Sequence, residues 1–591
     1  MTFTAHVDDL RHTLNHVVGL PQQIEAGLLG DLDTDLVDAV LEEAGRFATE
    51  VIAPLNRVGD IEGTRRDGDA VIMPPGWKDA YRQWSEAGWG ALPCPPEFGG
   101  QGLPMQIGLA AQELWNSASM AFGIGTVLTH GAVEAIRAHG TRQLQDLYLP
   151  KLISGEWTGT MNLTEPHAGS DLAALRARAE PRGDGTYAIT GTKIFITYGD
   201  HDFTDNIAHL VLARLPDAPP GTRGISLFLV PKVLVNDDGS LGAANDVKCA
   251  GVEHKLGIHA SPTCVMAFGE NGGATGWLIG EENRGLACMF TMMNSARLHV
   301  GMQGVAIAER AWQQARAYAH ERRQGRRPGT EGMVAIIEHP DVKRTLMTMK
   351  ALTAAARAIC FSTARAIDLS HLAGDEAERQ ANKALADLLT PVAKAFSTDV
   401  GVEVASLGVQ VHGGMGFIEE TGAAQHFRDA RIAPIYEGTN GIQAIDLVTR
   451  KVPMEGGAVV ERFVSALRDD VGRVMASNDP GFGQAGYRLS AAIDALEEAT
   501  DWLQRELGGD QDRALAGATP YLRMFGLTAG GVAVARGALA ATKAGDGSAP
   551  ARVNLARFLA ENLATEAPAL AATVTGGADA LADMPAEQLA L

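Results

Sequence analysis

The segment YAITGTKIFIT at Tyr187–Thr197 decides the fold class, because it is a short β-like run in a chain with helical periodicity on both sides of it. Two similar runs follow, IAHLVLARL at Ile207–Leu215 and GISLFLVPKV at Gly224–Val233. Gly, Asp and Pro separate these runs, as is typical of strands joined by tight turns. The middle of the chain is therefore predicted to be a small antiparallel β-domain.

Helical periodicity flanks this domain. From Val37 to Val51 the apolar residues recur every three or four positions, and Pro54 is expected to close that helix. Long Ala-, Leu- and Arg-rich stretches return after Leu286. The predicted domains are an N-terminal extension (1–34), a helical domain (35–158), the β-domain (159–281), a second helical domain (282–452) and a separate C-terminal helical domain (453–591).

Composition excludes several classes of partner and site. Lys and Arg number 50 against 71 Asp and Glu, a formal charge of −21, which argues against a protein that coats nucleic acid or binds anionic lipid. The five cysteines are scattered, with no CxxC pair and no histidine cluster at zinc spacing, so no metal site is predicted. A reducing cytoplasm suits them.

No targeting or membrane-spanning segment is expected. The first thirty residues lack the basic flank and apolar run of a signal peptide. The small-residue run from Leu527 onward carries Arg536 and Lys543, so no uninterrupted apolar stretch of transmembrane length is present. We expect a soluble, cytoplasmic protein with no integral membrane segment.

Several common catalytic motifs are absent. No GxGxxG opens a βαβ unit, so a Rossmann domain is not expected. GxxxxGK[ST], GxSxG and HExxH are absent too, which disfavours P-loop kinases, serine esterases and zinc hydrolases.

Other strings are present in a defined order. MNLTEPHAGSD (Met161–Asp171) is followed by KIFIT within the strand-like run, and later come ARLHVGMQGVAIAE, QVHGGMGF, RDARI and IYEGTN. Their order and spacing across residues 35 to 452 resemble the acyl-CoA dehydrogenase family. The extended N-terminus, an insertion near Arg322–Leu346 and the added C-terminal region resemble its longer subgroup. The implied fold is mostly α with a central antiparallel β-domain, plus an extra C-terminal helical domain.

Desaturation of an acyl thioester needs a carboxylate that removes the α-proton while a flavin takes the β-hydride. Glu437 of IYEGTN is the candidate base. Gly438 beside it lets substrate approach closely, and its backbone N–H could bind the thioester oxygen. A site emptied of water should raise the pKa of Glu437. Without its motif, Glu437 would be interpreted as a solvated loop residue. Some relatives instead carry the base beside the arginine of ARLHVG, where this chain has Ala296.

The resemblance implies an FAD site with contributions from two regions. Residues expected near the flavin are Leu163, Thr164, Ser170, Phe195, Ile196, Thr197 and Thr439. Residues expected near the pyrophosphate and adenosine are Arg322, Gln324, Gln410, Gly413 and Gly414, the last three acting from a neighbouring subunit. Residues expected near the substrate are Ser170, Arg297, Tyr436 and Gly438. Taken alone, Phe195 could be a strand core residue, the glycines could belong to turns, and Arg297 could form a buried ion pair.

The implied partners are an acyl-CoA substrate, an electron-transferring flavoprotein and a second copy of the chain in a homodimer or tetramer. Two other functions stay open. An acyl-CoA oxidase would pass its electrons to dioxygen, but the chain ends EQLAL without the usual peroxisomal signal. A binding or damage-response member of the same fold is opposed by the negative charge and by the presence of Glu437.

Overall fold

The computed structural model describes residues 3–590. The chain forms two compact units. The first contains the described residues up to Gly45, the segment Leu109–Ser117 and the chain from Arg297 onward. The second contains Arg46–Gly108 and Ala118–Ala296.

The second unit is built around a sheet. The strands are β1 (Arg65–Asp67), β2 (Ala70–Ile72), β3 (Thr158–Asn162), β4 (Arg178–Pro181), β5 (Tyr187–Thr197), β6 (Ile207–Ala213), β7 (Ser226–Pro231), β8 (Val233–Val235), β9 (Leu241–Ala244), β10 (Val247–Val252), β11 (Thr263–Phe268) and β12 (Ala274–Ile279). The main sheet has the order β10-β11-β5-β12-β7-β6-β3, with β4 also paired to β5. Strands β1 with β2 and β8 with β9 form separate two-stranded sheets. The predicted central β-domain is confirmed.

One strand pair differs from the antiparallel expectation. Strand β3 pairs with β6 in parallel, with Thr158 opposite Ile207 and Asn162 opposite Val211, whereas the other strand pairs are antiparallel. Parallel neighbours need a long crossover, and the chain between β3 and β6 provides one that includes β4 and β5. All five residues of β3 are buried, which suits a strand covered on both faces.

The helices are α1 (Val7–His12), α2 (Leu20–Glu25), α3 (Thr34–Phe47), α4 (Ala53–Glu62), α5 (Trp77–Glu86), α6 (Met105–Ala118), α7 (Met120–His139), α8 (Arg142–Ile153), α9 (Gly285–Glu321), α10 (Pro340–Leu372), α11 (Glu376–His412), α12 (Ala423–Ala430), α13 (Asn440–Asp446), α14 (Ala458–Ala476), α15 (Ala485–Leu507), α16 (Gln511–Ala516), α17 (Ala518–Ala544), α18 (Ala549–Asn562), α19 (Ala567–Gly576) and α20 (Ala578–Ala582). Helices α10, α11 and α17 pack together in the first unit. The extra C-terminal helical region is confirmed.

Pro54 does not end the helical path as the sequence predicted. Helix α3 passes into a π-helical turn at Ala48–Ile52, and α4 then begins at Ala53 with Pro54 in its first turn. Proline is tolerated there because the first backbone N–H groups of a helix have no carbonyl partner within it.

Helix α17 is a core helix of the first unit. It is long and apolar enough to cross a membrane by length and composition, with mean hydropathy 1.4, but 89% of that apolar window is buried inside the protein. A methyl group at Gly526 would lie 2.3 Å from the ring of Phe396 in α11, and one at Gly530 would lie 2.7 Å from Ala355 in α10. The small residues of this run therefore permit close helix packing.

Candidate active site

Glu437 lies in a short loop between α12 and α13. The loop is closed by its own backbone, because the N–H of Asn440 donates to the carbonyl of Pro434 at 3.0 Å. Glu437 has φ 56° and Gly438 has φ 83°, so two successive residues adopt the left-handed region. A non-glycine residue there is strained and is often found at functional sites.

The environment of Glu437 changes its proton affinity. Burial raises the pKa of Glu437 to about 7, although the cations Arg297 and Lys394 oppose the rise. A carboxyl group with this pKa can exchange a proton near neutral pH, which an ordinary exposed glutamate cannot do efficiently.

Gln443 contacts the loop directly, and Arg297 lies near it. Gln443 Nε2 donates to the carbonyl of Glu437 at 3.5 Å. Arg297 is buried on α9, with its Nη1 4.0 Å from Asp446 Oδ2. Burial lowers the pKa of Arg297, and the carboxylates of Asp446 and Glu437 oppose that effect. The predicted substrate residue Arg297 thus lies near Glu437 and forms the buried ion pair considered as its alternative role.

Tyr436 and Thr439 lie on either side of Glu437 and Gly438, and both use their hydroxyl groups within the protein. Tyr436 Oη donates to Gln303 Oε1. Thr439 caps α13 by accepting a hydrogen bond from Ile442 N at 3.3 Å. Their assigned contacts with substrate and cofactor stay predictions, while the structure gives both residues a part in shaping the loop.

One residue near Glu437, Lys394, was not identified from the sequence. Lys394 of α11 is wholly buried, and its Nζ donates to Asn440 Oδ1 at 2.8 Å. Burial lowers the pKa of Lys394 to about 7, against the raising effect of Glu437 and Asp399. A lysine within an otherwise apolar helical run, VAKAF, was the available signal.

Two of the predicted flavin residues, Leu163 and Thr164, lie against β5, which itself carries Phe195, Ile196 and Thr197. The carbonyl of Leu163 accepts a hydrogen bond from Lys193 Nζ at 3.0 Å, and that of Thr164 accepts one from Ile194 N at 2.9 Å. Lys193 also pairs with the buried Glu165 at 2.8 Å. The chain after β3 is therefore fastened along β5.

Along β5 the side chains differ in exposure. Phe195 is 59% exposed and has φ 60°, which sets it apart from a strand core residue, whereas Ile196 is buried. Thr164 and Thr197 are half-buried and Ser170 is exposed. An exposed aromatic face beside half-buried hydroxyl groups fits a planar ring with polar edges.

The predicted pyrophosphate and adenosine residues lie in the first unit. Arg322 and Gln324 are exposed just after α9, with Arg322 Nη2 3.4 Å from Gln324 Oε1. Gln410, Gly413 and Gly414 are exposed at the end of α11. The ends of α9 and α11 lie side by side, since the rings of Tyr318 and His412 stack with centroids 4.5 Å apart.

Within the described residues, one group has the composition of a cation site. The possible ligand atoms of His12, His16 and Asp546 lie within 4.8 Å of one another, although the sequence predicted no metal site. His16 Nε2 and Asp546 Oδ2 are 3.2 Å apart, so a hydrogen bond already accounts for the closeness of two of the three.

Comparison with known proteins accounts for nearly the whole chain. Three family models match successive parts: Acyl-CoA dehydrogenase, N-terminal domain (34–156), Acyl-CoA dehydrogenase, middle domain (160–270) and Acyl-CoA dehydrogenase, C-terminal domain (283–452). A fourth, Acetyl-CoA dehydrogenase C-terminal like, matches residues 460–585.

Individual relatives extend over the same range. The chain is 47% identical over 588 residues to the 3-methylmercaptopropionyl-CoA dehydrogenase of Ruegeria pomeroyi, covering 98% of this chain and 99% of that protein. The Caenorhabditis elegans ACDH-11 structure in complex with C11-CoA has a similar fold, with TM-score 0.77 and 22% identity over 95% of this chain and 91% of that one. A Bacillus anthracis acyl-CoA dehydrogenase complexed with FAD has TM-score 0.74 and 21% identity, covering 95% and 90% of the two chains.

These matches confirm the family, the enzyme class and the cofactor inferred from the ordered motifs. The exposed Phe195 beside the half-buried Thr164 and Thr197 also fits the flavin ring of that cofactor. The chain belongs to the acyl-CoA dehydrogenase family, as an FAD-dependent oxidoreductase with an additional C-terminal helical domain.

Proposed function

We propose that Glu437 is the base that removes the α-proton of an acyl-CoA thioester, giving the trans-2-enoyl-CoA. The observation that carries this proposal is the environment of Glu437, whose pKa is raised to about 7 by burial against the opposing effects of Arg297 and Lys394. A proton affinity of this size suits removal of a weakly acidic proton near neutral pH. FAD, when bound, supplies the acceptor for the hydride that leaves Cβ.

The loop also offers a group for the thioester oxygen. As the α-proton leaves, negative charge develops on that oxygen, and a backbone N–H aimed at it lowers the barrier. The N–H of Gly438 is the candidate, because it follows Glu437 directly in the left-handed turn. Gln443 and Arg297 keep the loop in place without contributing a proton.

FAD would be held by groups from both sets of predicted residues. Thr164, Ser170, Thr197 and the face of Phe195 would contact the flavin, with Leu163 and Ile196 contributing backbone groups. Thr439 would contact the cofactor near the base. Arg322 and Gln324 would bind the pyrophosphate, and Gln410, Gly413 and Gly414 would bind the adenosine, with no methyl group to obstruct approach at either glycine.

A second copy of the chain is part of the proposal. Just beyond Gly414, the side chains of Met415, Phe417 and Ile418 are exposed, and Phe417 is 86% exposed. A cluster of exposed apolar residues is typical of a protein interface. We infer a homodimer or tetramer in which Gln410, Gly413 and Gly414 serve a neighbouring subunit's FAD. An electron-transferring flavoprotein in the cytoplasm would reoxidise the enzyme.

The test is anaerobic addition of acyl-CoA to the FAD-loaded enzyme, followed by flavin absorbance. 3-Methylmercaptopropionyl-CoA and a series of straight-chain acyl-CoAs are the probes. Glu437→Gln should bind these thioesters, but its flavin should bleach about 100- to 10,000-fold more slowly than that of the unaltered enzyme. This is the loss of rate expected when a general base is removed. Bleaching at an unchanged rate would disprove the assignment.

A control separates the two electron acceptors. In air, the unaltered enzyme should form peroxide much more slowly than it turns over acyl-CoA with an electron-transferring flavoprotein as the electron acceptor. Peroxide formed at the full turnover rate would instead identify an acyl-CoA oxidase.

A further inference from the structure

Lys394 stands out among the buried side chains of the first unit. It is wholly buried on α11, yet it forms no ion pair within the described part of the chain. Its ammonium donates to a neutral acceptor, Asn440 Oδ1, at 2.8 Å. A buried lysine that lacks a paired carboxylate is costly, so its position calls for a functional reason.

Asn440 connects Lys394 to the loop that carries Glu437. Its backbone N–H closes the loop on the carbonyl of Pro434, and its side chain is fully engaged with α11. Asn440 Oδ1 accepts from Lys394 and from Thr398 Oγ1 at 3.2 Å, while Nδ2 donates to Asp399 Oδ1 at 2.7 Å. The amide is therefore held at both its oxygen and its nitrogen.

Several charged groups act on Glu437 and Lys394. Glu437 faces Arg297 of α9 and Lys394 of α11, with the Tyr436 hydroxyl also within its field. Lys394 in turn faces Glu437, Asp399 and Arg297. Arg297 is partnered by Asp446, whereas Lys394 forms no ion pair among the described residues, and its charge acts on both Glu437 and Asp399.

We propose that Lys394 is a positioning residue for the reaction: its buried ammonium anchors the Glu437 loop to α11 through Asn440 and keeps the Glu437 carboxylate ionised. This inference rests on the proposed role of Glu437 as the base. An acyl chain removes water from around that carboxylate, which favours its neutral form. The Lys394 ammonium, held to the loop through Asn440, counters that loss below its own pKa of about 7.

The positive charge of Lys394 lowers the pKa of Glu437. Burial raises the pKa of Glu437 to about 7 even with Lys394 present. Because the charge of Lys394 lowers the pKa of Glu437, loss of this cation should raise that pKa further, by about one unit. The ionised fraction at neutral pH then falls, and it recovers at higher pH.

Three variants separate charge from anchoring. Lys394→Met removes both, Lys394→Gln retains a donor for Asn440 without the charge, and Asn440→Ala removes the anchor while retaining the charge. The rate of anaerobic flavin bleaching by 3-methylmercaptopropionyl-CoA is measured from about pH 5 to about pH 9. Thermal unfolding and FAD content show which variants are folded.

In both Lys394 variants we expect the acid limb of the pH–rate profile to shift toward higher pH by about one unit. Bleaching near neutral pH should then be roughly tenfold slower than in the unaltered enzyme. Asn440→Ala should slow bleaching without moving the limb. A Lys394→Gln profile that superimposes on that of the unaltered enzyme would overturn the proposal.

A second readout needs no turnover. The infrared carbonyl band of protonated Glu437, identified by its absence in Glu437→Gln, is titrated in the flavin-free protein. In Lys394→Gln this band should persist to higher pH, and an unchanged midpoint would contradict the electrostatic role. If Glu437→Gln bleaches normally, the base assignment itself fails; if it is inactive and the Lys394 variants show no shift, only the present inference fails.

Discussion

Gly438 illustrates how one residue shapes the loop that carries Glu437. Its φ of 83° lies in the left-handed region, and a methyl group there would lie 2.6 Å from Gln443 Nε2 and 3.8 Å from Arg297 Nη2. An alanine would therefore be strained by its backbone and would displace the side chain that holds the Glu437 carbonyl.

We expect Gly438→Ala to slow flavin bleaching by about tenfold to a hundredfold, because a misplaced base and N–H are used only at the transition state. Loss of unfolding free energy should be about 1–3 kcal/mol. Stopped-flow bleaching and urea unfolding measure the two effects. Gly545→Ala is the matched control for positive φ, since Gly545 has φ 70° and open space around it. Equal effects on bleaching from both variants would contradict a role specific to Gly438.

The sequence predicts a role for Glu437 and Gly438 because they occur together in a recognisable string, and the structure adds their left-handed backbone conformation. It could not identify Lys394, because a lysine in a long helix is ordinarily a surface residue, and its burial depends on the packing of α11 against α10 and α17. Nor could it show that Glu437 and Phe195 adopt left-handed backbone conformations, which the surrounding structure imposes on residues that do not favour them.

At the scale of elements, β5 was predicted with its observed bounds, since its apolar and β-branched residues favour a strand locally. The parallel partner of β3 was not predicted, because pairing depends on residues about fifty positions away in sequence. Pro54 was misjudged for a related reason. Its effect depends on whether it stands inside a helix or in its first turn, and that position is set by the π-helical turn before it.

The ion pair between Lys193 of β5 and Glu165 fastens the chain that carries Leu163 and Thr164. Both side chains are buried, and Glu165 also accepts hydrogen bonds from the backbone N–H groups of Arg176 and Ala177 at 2.8 and 3.0 Å. Burial lowers the pKa of Lys193 to about 8, opposed by Glu165. Removing one partner leaves the other charge buried without compensation.

Lys193→Met should reduce the free energy of unfolding by about 3–5 kcal/mol and weaken FAD binding, because the loop before β4 loses its attachment. Urea unfolding and fluorescence titration with FAD are the measurements. Lys248→Met, which removes an exposed pair with Glu270 in the same unit, is the control and should change neither quantity. If the two variants had the same stability, the buried pair would have no fastening role.

At the scale of the molecule, a buried charge network links distant parts of the first unit. Arg357 of α10 pairs with Glu113 of α6 at 2.7 Å and with Glu309 of α9 at 3.0 Å. Lys350 joins Glu309 to Asp9 of α1, and Asp9 also pairs with Arg552 of α18 at 2.6 Å. The N-terminal extension and the C-terminal helices are thus tied to the helices beside the base loop, which no local pattern in the sequence could indicate.

The carboxylates of this network make stability depend on pH. Burial alone would raise the pKa of Glu309, but Lys350 and other cations hold it at about 2, below the usual 4.5. Burial alone would also raise the pKa of Asp9, but the combined attraction of Lys350, Arg357 and Arg552 holds it well below its usual value. A group whose pKa is depressed on folding contributes stability that is fully present above its unfolded pKa and is lost as the pH falls toward its folded pKa.

We therefore expect the first unit to lose stability progressively as the pH falls from about 4.5 to about 2, the window set by Glu309. Arg357→Met should cost about 3–5 kcal/mol at neutral pH, because Glu113 loses its buried arginine and Glu309 keeps only Lys350 as an ion-pair partner among the described residues. Its acid dependence should be shallower, because those carboxylates then gain less from being ionised. Urea unfolding across the pH range, followed by circular dichroism, tests both.

Arg82→Met, which removes an exposed cation paired with Asp79 and Glu86, should retain the stability and the acid dependence of the unaltered protein. An Arg357→Met protein with undiminished stability and an unchanged acid slope would show that the network does not hold the first unit together.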